Sequence, residues 1–264
     1  MAKPKTDELV TTTTDSMAIP DYLREENSGA GLENLDRNEL RLPRLAIAQG
    51  LSPQLDPDKP EYIEDLKLGD LFNSVTGEVF GRGPFLFTVL RIEKPRYIEF
   101  IPRDLGGGVK DMNVPGDDPR TKFTLDADGN TVQPAATKFL DFLVAQLPLP
   151  ADPNEAAKRV IALSCKSTAL KAAKNLNSLL FYRSPKPTYA ARFALTTTKE
   201  TNKKGTYFVP SIVNAPEGLG GGWILDQAEF ALSKALFTSL ATANVVVDRE
   251  PGSDDDEGAE GIAF

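Results

Sequence analysis

Histidine is absent from all 264 residues, and cysteine occurs once, at Cys165. The first absence removes the commonest general base and metal ligand, and with it every Ser–His or Cys–His nucleophile pair. One cysteine cannot form an internal disulfide, and without histidine it cannot build a zinc site. Long apolar runs are also missing. No 18 apolar residues follow one another, and the N-terminal stretch lacks the apolar core of a secretory signal. A cytoplasmic protein with no membrane partner is expected.

Phosphate and metal loops fail on spacing. Gly106-Gly-Gly108 and Gly218-Leu-Gly-Gly-Gly222 lack the Gly-Lys-Ser/Thr of a phosphate loop and read as flexible connections. Asp126-Ala-Asp128-Gly129-Asn130 carries its glycine at the fourth position instead of the sixth, with no glutamate at the twelfth. It reads as a hairpin turn after Phe123-Thr-Leu125, and Asp117-Asp-Pro119 as a second turn. No enzyme, catalytic residue, metal or cofactor is expected. Carboxylate chemistry, as in a magnesium-dependent nuclease, is the only catalytic route the composition leaves.

An overall basic excess is missing too, because the net charge is −8. The charge is segregated, however. Residues 1–40 carry −5, residues 251–264 carry −5, and residues 41–250 carry +2. Within 156–208, eleven lysines and arginines face the single acid Glu200. Such segregation implies a basic face for a polyanion, with acidic arms able to fold back over it.

The acidic run Pro251–Phe264 contains Asp254, Asp255, Asp256, Glu257 and Glu260, no cation, and ends on Ile262 and Phe264. It has too little apolar surface to order itself. A ring beside carboxylates suits capture by a partner pocket with a basic rim. This stretch resembles the tails of bacterial and phage single-stranded DNA-binding proteins. The resemblance implies that these seven residues recruit replication or recombination proteins and compete with DNA for the basic groove. The segment Arg44-Leu-Ala-Ile-Ala-Gln-Gly-Leu-Ser52, the strands at 85–101 and the junction Lys166-Ser-Thr-Ala-Leu170 resemble proteins of tailed phages, some placed with phage DNA-binding proteins. A phage origin would put the chain in the host cell cytoplasm.

Twenty prolines, 20 glycines and 8% aromatics point to short strands and many turns. Residues 1–40 read as a disordered acidic arm, 41–247 as a β-rich nucleic-acid-binding domain, and 248–264 as the acidic tail. Phe85–Ile92 and Arg96–Ile101 read as strands joined into a hairpin at Glu93-Lys-Pro95. Thr137–Gln146 reads as a strand, though its unbroken apolar character also fits a helix. Arg159–Ser164 reads as a buried strand, Ser167–Leu180 as a helix, and Tyr189–Thr198 with Thr206–Val213 as a hairpin. A last helix over 227–243 is capped by Asp226. The expected class is α+β, mainly antiparallel β, with an OB-fold-like barrel, two helices and disordered termini.

Single-stranded DNA requires cations for its phosphates and flat rings for its bases. Two clusters supply both. The first contains Arg82, Arg91, Lys94, Arg96 and Tyr97, with Phe85, Phe87 and Phe100 nearby. The second contains Lys166, Lys171, Lys174, Phe181, Tyr182, Arg183, Lys186, Tyr189, Arg192, Lys203, Lys204 and Tyr207. Strand phenylalanines are usually core, so Phe85, Phe87, Phe100, Phe193 and Phe208 are assigned there. Tyr97, Tyr182, Tyr189 and Tyr207 lie beside charges and are candidates for stacking or for packing. The expected function is a non-catalytic single-stranded DNA-binding protein of replication or recombination, compatible with homo-oligomerisation. An interaction protein with a basic docking face, a nuclease and a strand-annealing protein are the alternatives.

Overall fold

The computed structural model describes residues 42–102, 105–184, 186–202 and 205–242. The expectations for the 1–40 arm, for Lys203 and Lys204, and for the 248–264 tail with Asp254, Asp255, Asp256, Glu257, Glu260, Ile262 and Phe264 lie outside the described residues.

One strand organises the domain. β9 (Ala136–Gln146) pairs along one edge with β10 (Val160–Lys166), antiparallel from Phe139↔Lys166 to Ala145↔Val160. Its other edge takes β4 (Phe85–Ile92) and β5 (Arg96–Phe100) in succession, from Gln146↔Phe87 through Phe142↔Ile92 to Phe139↔Arg96 and Ala136↔Glu99. The expected hairpin at 93–95 is therefore corrected. β4 and β5 run in the same direction as one long, twice-interrupted strand. Leu90 is bulged out of register, and the Glu93 N–H still donates to Asp141 O at 3.0 Å. Proline at 95 removes one donor without reversing the chain, and a bulge absorbs the difference.

The far edge of this composite strand is shared. β11 (Phe193–Asn202) pairs with its start at Leu195↔Phe85, and β6 (Val109–Asp111) with its end at Phe100↔Val109. β12 (Gly205–Asn214) completes a ten-residue hairpin with β11. Separately, β1 (Leu45–Ile47), β2 (Leu71–Asn73) and β3 (Val79–Gly81) form a small antiparallel sheet, and β7 (Thr124–Leu125) pairs with β8 (Thr131–Val132). Three α-helices occur among the described residues, instead of two: α1 (Pro153–Ala157), α2 (Leu170–Arg183) and α3 (Gln227–Thr242).

The main sheet is open, with order β12-β11-β4-β9-β5-β6 and β10 on β9, so the OB-fold-like barrel gives way to an open antiparallel sheet within the α+β class. Its outer strands do not meet because other groups occupy them. On β12 the Gln49 amide takes both backbone groups of Phe208, donating at 2.8 Å and accepting at 3.0 Å. Pro210 offers no N–H, and Asn175 Nδ2 donates to Ile212 O at 2.7 Å. On β10 the Ala162 N–H is taken by Pro43 O at 2.7 Å. Side-chain and proline plugs of this kind keep an edge from pairing further.

Helices cover both faces. α2 buries Ala172, Ala173, Leu176 and Leu180 against Phe87, Phe142, Val144, Leu163, Phe193 and Leu195. α3 sets Leu236 and Leu240 against Leu90, Ala145, Ala156 and Val160. Asp226 caps α3 as the sequence implied, accepting from Glu229 N at 2.7 Å. β9 thus sends Phe142 and Val144 to one core and Leu143 and Ala145 to the other. That double burial explains why its sequence is a continuous apolar run and not an alternating one. No helix among the described residues is long and apolar enough to cross a membrane.

Candidate nucleic-acid interface

β10 runs into α2 through a 3-10 turn at Ser167–Ala169. The small residues Ala172 and Ala173 let the helix lie close on the sheet, which fixes what the opposite side presents. Lys171, Lys174, Ser178, Phe181 and Tyr182 are all exposed there. At 100° per residue they occupy one face, and the α2 sequence contains no carboxylate. Phe181 is 75% exposed and Tyr182 84%, with ring centroids 5.6 Å apart in an edge-on arrangement. Two unburied rings on a surface helix are a cost unless something covers them. Lys186, just beyond the helix, is exposed as well.

Four of the five arginines of the two clusters are committed inside the molecule, and the fifth, Arg82, is exposed. Arg192 pairs with Glu229 at 2.8 Å and donates to Leu219 O at 3.3 Å. Arg183 donates to Gly222 O and lies 4.3 Å over the Trp223 ring and 5.4 Å over Phe193. Burial holds its guanidinium below the ordinary arginine pKa. Arg96 pairs at 2.8 Å with the fully buried Asp141, which also accepts from the Ser164 hydroxyl. Arg91 holds Glu93 and donates to Leu240 O at 3.1 Å, and Arg82 lies 5.0 Å over Phe208. Lys166 sits over Phe100 and Phe139 at 5.4 and 5.5 Å, while Lys94 is exposed.

The four tyrosines separate in the same way. Tyr207 is buried with its hydroxyl donating to Glu200 at 2.9 Å. Tyr189 packs on Phe230 and Phe237, and Tyr97 lies half-buried under Lys138. Tyr182 alone of the four is exposed enough to offer its ring face. Phe85, Phe87, Phe193 and Phe208 are buried as assigned, and Phe100 is half-buried against Phe139.

Sequence reasoning overlooked Trp223. The loop before it, read as a flexible connection, is shaped by two guanidiniums. A Cβ at Gly220 would run into Arg192, and one at Gly222 into Arg183; Gly220 also takes φ +90°. At Gly220 the positive φ favours glycine, and at Gly222 a Cβ would make the Arg183 guanidinium shift. The signal lay in the pairing of consecutive glycines with arginines about thirty to forty residues distant, which no local pattern reveals.

A cavity of about 490 Å³ opens between β1, the β10–α2 turn and β12, at the end of α2 away from Tyr182. Among the described residues no group of three carboxylate or thiol side chains is placed to hold a metal ion.

The amino-acid sequence matches a family of phage proteins. The chain belongs to the Pam3 phage gp34-like protein family, which it matches over residues 12–244. That span covers the whole sheet and all three helices and stops short of the acidic run at 251–264. No curated protein and no solved structure matches the chain.

Proposed function

We propose that this bacteriophage protein binds single-stranded DNA through the exposed face of α2, without turning it over, in phage replication or recombination. The observation that carries the reading is the coincidence, on one carboxylate-free helix face, of Lys171 and Lys174 with the exposed rings of Phe181 and Tyr182. Cations track phosphates, and unburied rings accept base faces that a duplex hides. The other arginines and tyrosines of the two clusters support the scaffold that presents this face. The acidic tail Asp254–Phe264 serves as a recruiting arm for replication or recombination proteins and as a tethered competitor for the same lysines.

Fluorescence anisotropy with labelled oligo(dT) and with a duplex of equal length tests the reading. The single strand should bind more tightly, and Lys171→Glu with Lys174→Glu should lower affinity. Each lost phosphate contact should reduce the log–log salt slope by about 0.7. Equal binding of duplex and single strand, or a slope untouched by the double substitution, would sink the proposal.

A further inference from the structure

The exposed rings of α2 differ in how they are held from Trp223, which meets α2 at its last residue, Arg183. Phe181 and Tyr182 contact each other. Trp223 instead joins the interior through Arg183, whose guanidinium lies 4.3 Å over the indole and 5.4 Å over Phe193, a ring with no solvent exposure. Arg183 is fixed in turn by Gly222 O, and glycine at 222 leaves the room for that approach. The segment is extended there: Ile224 is buried, its N–H donating to Ala190 O at 3.0 Å, while Trp223 and Leu225 face outward at 38% and 81% exposure. With this core-anchored cation against the indole, Trp223 still keeps 38% of its surface exposed.

From this geometry we infer that Trp223 is a base-stacking residue, placed for a strand that leaves the exposed face of α2 around the C-terminal end of the helix on the Arg183 side. The inference rests on the reading that α2 holds a single strand. A ring fixed before binding loses little freedom when a base lands on it, whereas an unsupported side chain must be ordered. An adjacent cation further favours stacking on an indole, the strongest of the aromatic surfaces for such contacts. Trp223 therefore contributes more to affinity than either Phe181 or Tyr182, although it is the least exposed of the three. The acids close to Trp223 in the chain are Asp226, which caps α3, and Glu217, both exposed.

The chain contains one tryptophan, so its emission reports this position alone. Titration of the full chain with oligo(dT) should quench that emission along the same isotherm as anisotropy. Inorganic polyphosphate, a polyanion without rings, should bind with little quenching. Trp223→Ala should weaken oligo(dT) binding by about tenfold, and Trp223→Phe by less. Thermal melts of both variants show whether the fold is kept, and the quench needs no variant. Oligo(dT) that binds while the emission stays constant, with Trp223→Phe at wild-type affinity, overturns the inference and leaves the α2 reading standing; a protein-docking role for the indole would give this result. Oligo(dT) that does not bind by anisotropy overturns both.

Discussion

At the residue scale, burial converts groups with chemical potential into structural ones. Cys165 is fully enclosed on β10, and burial, helped by the negative charge of Asp141, pushes its thiol up to about 12. The thiolate is the reactive form, so this cysteine should be inert in the native state. A thiol-reactive dye should label it only after denaturation, and fast labelling of native protein would show that β10 opens. The arginines follow the same logic. Arg96 and Arg192 were candidates for phosphate because arginine suits that role, yet each offsets a buried or half-buried carboxylate, Asp141 and Glu229. Leaving either acid unpaired in the interior costs several kcal/mol, roughly 3–5 by the behaviour of broken buried pairs.

At the element scale, the excursion between β5 and β9 shows how a Gly- and Pro-rich segment acquires a fixed shape. Arg120 bonds Glu99 at 2.6 Å, Asp111 at 3.1 Å and Asp118 at 2.9 Å, while Lys110 adds a second cation to Glu99 at 2.6 Å. Hydrogen bonds from Lys110 and then Arg120 hold the Glu99 carboxyl below its ordinary 4.5, and Arg120 holds Asp118 below 3.8. Both folded values lie below the unfolded ones. The stabilisation is therefore fully present above the ordinary carboxylate range and is lost as pH falls through the lowered values. Acid should release residues 109–121 while the β9-centred sheet persists. Hydrogen exchange at pH 7 and near pH 3 checks this: protection at 109–111 should drop first, and Arg120→Met should show the same loss already at neutral pH. Uniform loss across β9 and β6 would mean the network is incidental.

Helix α2 and strand β9 show what local pattern can and cannot carry. The α2 stripe of Ala173, Leu176 and Leu180 was legible because one buried and one exposed face leave a 3.6-residue period. β9 left no period, since both its faces are covered. The Glu93-Lys-Pro95 link was read as a turn because proline commonly marks one. Whether a chain reverses or continues past a proline depends on the partner strand, and β9 offers one edge long enough for both β4 and β5.

For the whole molecule, the segregation of charge is the property with functional reach. The acidic run at 251–264 and the lysines of α2 belong to one chain, so each sees the other at a high effective concentration. Deleting residues 251–264 should tighten oligo(dT) binding at low salt and leave it little changed near physiological salt, where screening is stronger. Anisotropy titrations of the full and shortened chains at two ionic strengths decide the matter. Identical affinities at low salt would reduce the run to a solubilising appendage.

The sequence by itself determined the absence of histidine chemistry, the mostly antiparallel β composition, the two longer helices with the Asp226 cap, and the placement of Lys171 and Lys174 on the outer side of α2, while the rings of Phe181 and Tyr182 joined that face only because the helix runs on to Arg183. These depend on residue identity and on spacing along the chain, which short-range geometry converts directly into faces. Only the tertiary structure decided that the sheet stays open, that Arg183 and Arg192 shape a glycine loop instead of meeting solvent, that Tyr189 and Tyr207 are packed away, and that Trp223 comes to stand beside α2. Each depends on which distant residue occupies a given edge, cavity or guanidinium. Gln49 reaching Phe208 and Gly222 lying under Arg183 are contacts that folding makes between segments whose local sequences carry no mark of each other.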